Sequence, residues 1–146
     1  MKKIFVLFNF FLVISFNAQG QNWVTNFEEA KQLAAKNNQN IVLVFQGSDW
    51  CAPCIKLERE IWSTEEFKKL SKNHFVMLKA DFPRKKANKL SDEQTLQNSK
   101  LAESYNKEGI FPLVVVLNKN GKVLGKTGYE KSNPTDYFKK LNSLEK

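Results

Sequence analysis

Cys51 and Cys54 are the whole thiol complement of this 146-residue chain. They lie in the string Gly47-Ser48-Asp49-Trp50-Cys51-Ala52-Pro53-Cys54, after the unbroken apolar run 41–45 and before a stretch in which Cys54, Leu57 and Ile61 recur on one helical face. The pair therefore falls at a strand-to-helix junction. A sulfur at the start of a helix meets unpaired backbone N–H groups and the positive end of the helix dipole, and both favour thiolate over thiol. Cys51 is the expected nucleophile. Cys54, one turn further in, is close enough to close a disulfide with it and is expected to be less open to water, which suits a resolving thiol.

Two rival uses share this spacing. A four-cysteine zinc site cannot form within a chain holding two cysteines, and the lone His74 brings the ligand count only to three, so no metal is expected. A purely structural disulfide would close so short a loop that it constrains the unfolded chain less than a long one does. Reversible thiol chemistry is the remaining reading, and it needs no cofactor.

The string Trp50-Cys51-Ala52-Pro53-Cys54 after a buried strand resembles the active site of the thioredoxin superfamily. The longer Gly47-Ser48-Asp49-Trp50-Cys51, with Glu58 seven residues past the first cysteine, is similar to exported thioredoxin-like proteins. These include the C-terminal thioredoxin-like domain of periplasmic thiol:disulfide interchange reductases. The resemblance runs from about Val24 onward and is more specific for fold than for substrate. It implies that Pro112 is a cis-proline opening the strand that faces the cysteines, and that Phe111 before it offers backbone groups to an extended substrate. An ordinary strand-initiating proline is the alternative.

Two positions and the length of one interval depart from the family pattern. Phe45 stands where thioredoxin carries a buried aspartate that handles the second cysteine's proton. Glu58, four residues after Cys54 on the same helical face, is the candidate replacement, and it matches an acid of the exported reductase domain. Its plainer reading is a surface glutamate paired with a lysine or with Arg59. Leu113 follows the proline where thioredoxin has threonine, and the interval before Phe111 is longer than in a minimal thioredoxin. Trp50 is expected to be a half-exposed platform that shields Cys51 and packs on a partner, with a core position as the alternative. Asp49 is either a modulator of the thiolate or an exposed turn residue.

The elements that must position these residues follow an address. Met1-Lys2-Lys3 is a basic start, residues 4–16 are apolar apart from Asn9 and Ser15, and Ala18-Gln19-Gly20 ends in small residues. This reads as a signal peptide over residues 1–20, followed by a single domain over 21–146. The apolar stretch falls short of the roughly 20 residues that a bilayer span needs. An uncleaved anchor is the alternative. Removing residues 1–20 takes away Lys2 and Lys3 and lowers the formal charge from +8 to +6. The remaining length suits one core without a disulfide scaffold. The basic runs Arg84-Lys85-Lys86 and Lys139-Lys140 read first as solvated faces, and otherwise as sites for acidic partners or membrane headgroups. No aromatic-interleaved basic stripe suggests nucleic acid.

Within the domain, Trp23 and Val24 suggest a short edge strand, and Phe27, Ala30, Leu33 and Ala34 an amphipathic helix ended by Asn37-Asn38-Gln39-Asn40. Residues 41–45 read as a central strand covered on both faces. The cysteine helix should reach about Trp62, and Ser63 with Glu66 resembles a capping box for another short helix to about Leu70. A strand at 75–78 ends near Asp81. In the polar interval 82–106, Leu96, Leu101, Ala102 and Tyr105 give a loose helical stripe, and a lid, a partner surface and a neutral insertion all fit it. Residues 113–117 then form a strand, Asn118-Lys119-Asn120-Gly121 turns it into an antiparallel partner at Val123-Leu124, and Asn133-Pro134 starts a last helix with Tyr137, Leu141 and Leu144 inward.

This order predicts an α/β fold, a central mixed sheet with helices on both faces, and it matches the thioredoxin fold that the resemblance implies. The expected activity is that of an exported thiol-disulfide oxidoreductase, periplasmic if its host has two membranes, monomeric, reducing protein disulfides through Cys51 and Cys54 and recycled by a membrane electron donor or acceptor. Isomerase or oxidase action, or a binding module whose cysteines are idle, are the alternatives.

Overall fold

The computed structural model describes residues 22–146; the 1–20 leader expected above lies outside them. The sheet has four strands in the order β2-β1-β3-β4, with β1 at Asn40–Gln46, β2 at Phe75–Asp81, β3 at Leu113–Leu117 and β4 at Val123–Thr127. β1 pairs parallel with β2 and antiparallel with β3, which pairs antiparallel with β4. The sheet is mixed, as expected.

Alternation along the strands splits the core into two layers. Ile41, Leu43 and Phe45 point with Leu113, Val115 and Leu117 toward helix α1 (Phe27–Asn37) and helix α4 (Asp92–Tyr105), where Ala30, Ala34 and Leu101 meet them. Val42, Val44, Val114 and Val116 point the other way, against α2 (Ala52–Leu57), α3 (Glu65–Ser71) and α5 (Pro134–Ser143). Buried on both faces, β1 has no need of polar alternation. Trp62 centres the second layer, edge-on to Trp23, Phe67 and Tyr137 at 5.9, 4.8 and 5.3 Å between ring centroids.

Caps fix the helix starts. The Asn26 side chain accepts from the Glu29 amide at 2.9 Å, and the Asn133 side chain accepts from the Asp136 amide at 2.8 Å just before Pro134. The expected Ser63 box is displaced by one residue. Thr64 caps α3 by accepting from the Phe67 amide at 3.2 Å, while the Ser63 hydroxyl donates to Glu58 at 2.9 Å. Between α2 and α3 the helix widens into a π turn, Glu58–Trp62, closed by the Ser63 amide on the Glu58 carbonyl at 2.8 Å.

The N-terminal edge strand is reduced to a bridge: Val24 pairs parallel with Leu78. Glutamines of α4 fasten this stretch, with Gln94 and Gln97 Nε2 donating to the Thr25 carbonyl and the Phe27 amide donating to Gln97 Oε1. The same polar use of α4 overturns part of its expected apolar stripe. Leu96 is 57% exposed, whereas Asn98 is buried and donates to the Asp81 carbonyl at 2.9 Å. Among the described residues no helix is long and apolar enough to cross a membrane.

Candidate active site at the start of α2

The chain leaves β1 at Gln46, turns through residues 47–50 and enters α2 with Cys51 as its N-cap. The Cys51 amide donates to the Gly47 carbonyl at 2.9 Å, which closes the turn, and the Ile55 amide donates to the Cys51 carbonyl at 3.0 Å, which opens the helix. Pro53 falls in the first helical turn, where a missing N–H costs nothing. Cys51 Sγ accepts from the Cys54 amide at 3.3 Å. The cysteines are joined by a disulfide, with their Cα atoms 5.2 Å apart. Each is 4% exposed, so the expected difference in access is absent.

Trp50 is half-buried and held on three sides. Its Nε1 donates to the Phe82 carbonyl at 2.7 Å, its ring meets Phe111 edge-on at 5.4 Å, and the Arg84 guanidinium lies 3.7 Å from the ring centroid. Gly47 makes this seat available, because a Cβ there would come 2.2 Å from Trp50 Cε2. Asp49 grips the same neighbouring segment. Its carboxylate accepts from the Arg84 amide at 2.9 Å, the Lys85 amide at 3.0 Å and Asn88 Nδ2 at 2.9 Å. The Arg84 amide above all, then the Asn88 side chain, holds the Asp49 carboxyl below its ordinary value of 3.8. Asp81 completes the attachment by accepting from the Ser48 amide and hydroxyl at 2.9 and 2.6 Å. The active-site turn and residues 81–88 thus form one unit. Of this clamp the sequence displays only the basic run and Asp49, and no spacing rule connects the two.

The Phe111–Pro112 peptide bond is cis, the isomer the resemblance implied. Pro112 is buried, and Phe111 reaches both Trp50 and Phe82, the latter at 5.4 Å. The loop before β3 is thereby brought to the cysteine turn. Phe45, in place of an acid, is fully buried and stacks on Phe82 at 6.5 Å. Glu58 borders, with Cys54, Gln46 and Ser48, an open pocket of about 330 Å³. It pairs with Lys79 at 3.4 Å, not with Arg59, which instead meets Glu60. The Lys79 ammonium also lies 4.5 Å from the centre of the Trp23 ring. His74 is engaged with Glu145 at 2.8 Å and with the rings of Phe75 and Phe138, rather than with either cysteine. A larger groove of about 810 Å³ beside β2, bordered by Trp23, Leu33 and Phe75, contains none of the cysteine-turn residues.

A Cys-x-x-Cys disulfide at a helix start, next to a fixed indole and a cis-proline loop, defines a class of thiol-disulfide exchange proteins built on the thioredoxin fold. A thioredoxin-like family model matches residues 22–119. The disulfide bond reductase DsbH of Chlamydia pneumoniae is 35% identical over 130 residues, which cover 89% of this chain and 74% of that protein. A solved structure of a DsbH oxidoreductase is 33% identical with a TM-score of 0.79, over 86% of this chain and 85% of the other. A disulphide isomerase from Xylella fastidiosa Temecula1 shares the fold at 22% identity and a TM-score of 0.59, over 79% and 87% of the two chains. The chain belongs to the thioredoxin-like family. It is a thiol-disulfide oxidoreductase carrying a Cys-x-x-Cys pair at residues 51–54.

Proposed function

We propose that this protein is an exported reductase of protein disulfides. The observation that carries the reading is Cys51 Sγ at the N-cap of α2, accepting the Cys54 amide at 3.3 Å, a donor that favours the sulfur as an anion. The reaction begins from the dithiol. Cys51 thiolate attacks one sulfur of a substrate disulfide, forming a Cys51–substrate bond and expelling the other substrate sulfur as a thiolate that takes a proton. Cys54 then gives its proton to Glu58 and attacks Cys51 Sγ, expelling the second substrate thiolate. Two electrons pass to the substrate, and the protein is left with the Cys51–Cys54 disulfide.

Trp50 and Pro53 shape the entrance, and Phe111 with Pro112 present the backbone along which an extended substrate lies. Reduction of the spent disulfide falls to a membrane electron donor. The direction is supported by similarity to a relative named a disulfide bond reductase and by the Trp-Cys-x-Pro-Cys string. Export is supported by the basic start, apolar stretch and small residues of the first 20 positions. The protein works as a monomer on protein substrates, without nucleic acid or a bound cofactor.

The test is insulin reduction by dithiothreitol with wild type and Cys51→Ser. Wild type should accelerate it and the variant should not; equal rates would leave a thioredoxin-fold docking module. A Cys51–Cys54 reduction potential on the oxidising side of the protein disulfide isomerase range, about −180 mV, would instead assign oxidase or isomerase action. Cell fractionation with and without residues 1–20 tests export, and gel filtration tests the monomer.

A further inference from the structure

The run Arg84-Lys85-Lys86 is left unused by the exchange chemistry. Its backbone is nonetheless fixed against the active-site turn: the Arg84 and Lys85 amides and Asn88 Nδ2 all end on Asp49, two residues before Cys51. The Arg84 guanidinium lies across Trp50, the residue next to Cys51. Arg84, Lys85 and Lys86 are exposed, and among the described residues no carboxylate comes within ion-pair distance of their charges. Lys89 at the far end is different, since it pairs with Asp92 at 3.5 Å. So is the other basic run, whose Lys139 and Lys140 pair with Asp136 and Glu130. The run without a salt bridge is the one beside the active-site turn, where the single Asp49 carboxylate faces three cations and, behind the Arg84 amide and the Asn88 side chain, the Lys85 charge helps to hold its carboxyl low.

We propose that Arg84, Lys85 and Lys86 form a substrate-selecting rim that favours protein disulfides flanked by acidic residues. The physics is kinetic. Attack on a disulfide by a thiolate is opposed when carboxylates flank the target, because like charges must approach in partly excluded solvent. Cations carried on a backbone fixed against the active-site turn oppose that repulsion, steer the acidic segment inward and raise the encounter rate. The rim rests on the reductase reading above and extends it to the class of substrate.

The experiment uses the mature chain and three cystine peptides identical except for Glu, Ser or Lys on either side of the half-cystines. Specificity constants are measured at low and high salt. Wild type should reduce the Glu-flanked peptide about tenfold more efficiently than the Ser-flanked one at ~20 mM salt, with the ratio falling toward one at ~0.5 M as the charges are screened. Lys85→Ser/Lys86→Ser should lose most of that ratio, while Lys139→Ser/Lys140→Ser, with the same change in net charge, should keep it. Because each variant is scored by a ratio, an overall loss of folded protein cancels.

A wild-type ratio of one, or a ratio that survives the Lys85/Lys86 change, overturns the rim while leaving the reductase reading intact. A ratio of one together with Lys85/Lys86-dependent binding to phosphatidylglycerol vesicles would overturn it in favour of membrane headgroups. Failure to reduce even the Ser-flanked peptide would overturn the reductase reading, and the rim with it.

Discussion

Gly47→Ala should unseat Trp50. The added methyl would lie 2.2, 2.4 and 2.6 Å from three atoms of the indole, against a contact distance of about 3.5–4.0 Å for carbon pairs. The ring must retreat by more than ~1 Å, which carries Nε1 out of reach of the Phe82 carbonyl, now 2.7 Å away. The lost hydrogen bond costs about 1 kcal/mol. The edge-on contact with Phe111 and the stacked Arg84 guanidinium each add roughly 0.5–1 kcal/mol. The expected destabilisation is therefore about 2–3 kcal/mol, or roughly 6–15 °C in melting temperature for a domain of this size. Urea and thermal unfolding of the oxidised protein measure the loss, and the Trp50 indole N–H resonance reports the ring directly. Insulin reduction should fall as well, because the platform beside Cys51 has moved. A variant that melts within ~0.5 kcal/mol of wild type, a change typical of an unconstrained surface site, with that resonance unmoved, would refute the account of the turn.

Three further outcomes are expected. Asp49→Asn should weaken the hold on residues 84–88, and the effect should depend on pH. The folded carboxyl is held below 3.8, so its contribution is present above that pH and disappears as pH falls through the lower folded value; stability curves of the two proteins should converge in acid, and a pH-independent gap would contradict this. Tyr137→Phe removes a buried hydroxyl that donates to the Gly128 carbonyl at 2.8 Å and should cost about 1–2 kcal/mol in urea unfolding; an unchanged midpoint would show that the bond contributes nothing. Glu58→Gln should lengthen the life of the Cys51 mixed disulfide by tenfold or more, measured by acid quench and thiol labelling, with its pH dependence altered. An unchanged lifetime at every pH would return Glu58 to the role of a surface partner of Lys79.

The central strands were legible because burial on both faces leaves unbroken apolar runs at 41–45 and 113–117, and the cysteine pair because its spacing and helical setting restrict its chemistry. Helix α4 was half legible. Its inward face uses Gln94, Gln97 and Asn98 as hydrogen-bonding arms, so apolar periodicity points to the exposed Leu96 and not to the buried Asn98. Ser63 and Thr64 are both capping residues; what separates them is that Glu58, brought near by the π turn, takes the Ser63 hydroxyl. That turn leaves no local pattern to read. The clamp on Trp50 and Asp49 joins positions 32–36 residues apart through backbone atoms, and backbone amides look alike in every sequence. Equal burial of the two cysteines depends on what packs around the turn from distant parts of the chain, which helical spacing does not describe.

A clasp that closes on main-chain groups has a further consequence for what the molecule can become. Asp49 reads the amides of residues 84 and 85, which almost any side chain leaves in place, so the identities of residues 85 and 86 can drift without loosening the support of the sulfurs. Client preference and catalytic scaffold are thereby uncoupled. A library randomised at these two positions should yield oxidoreductases of similar stability with differing tastes in substrate, a ready starting point for directed evolution.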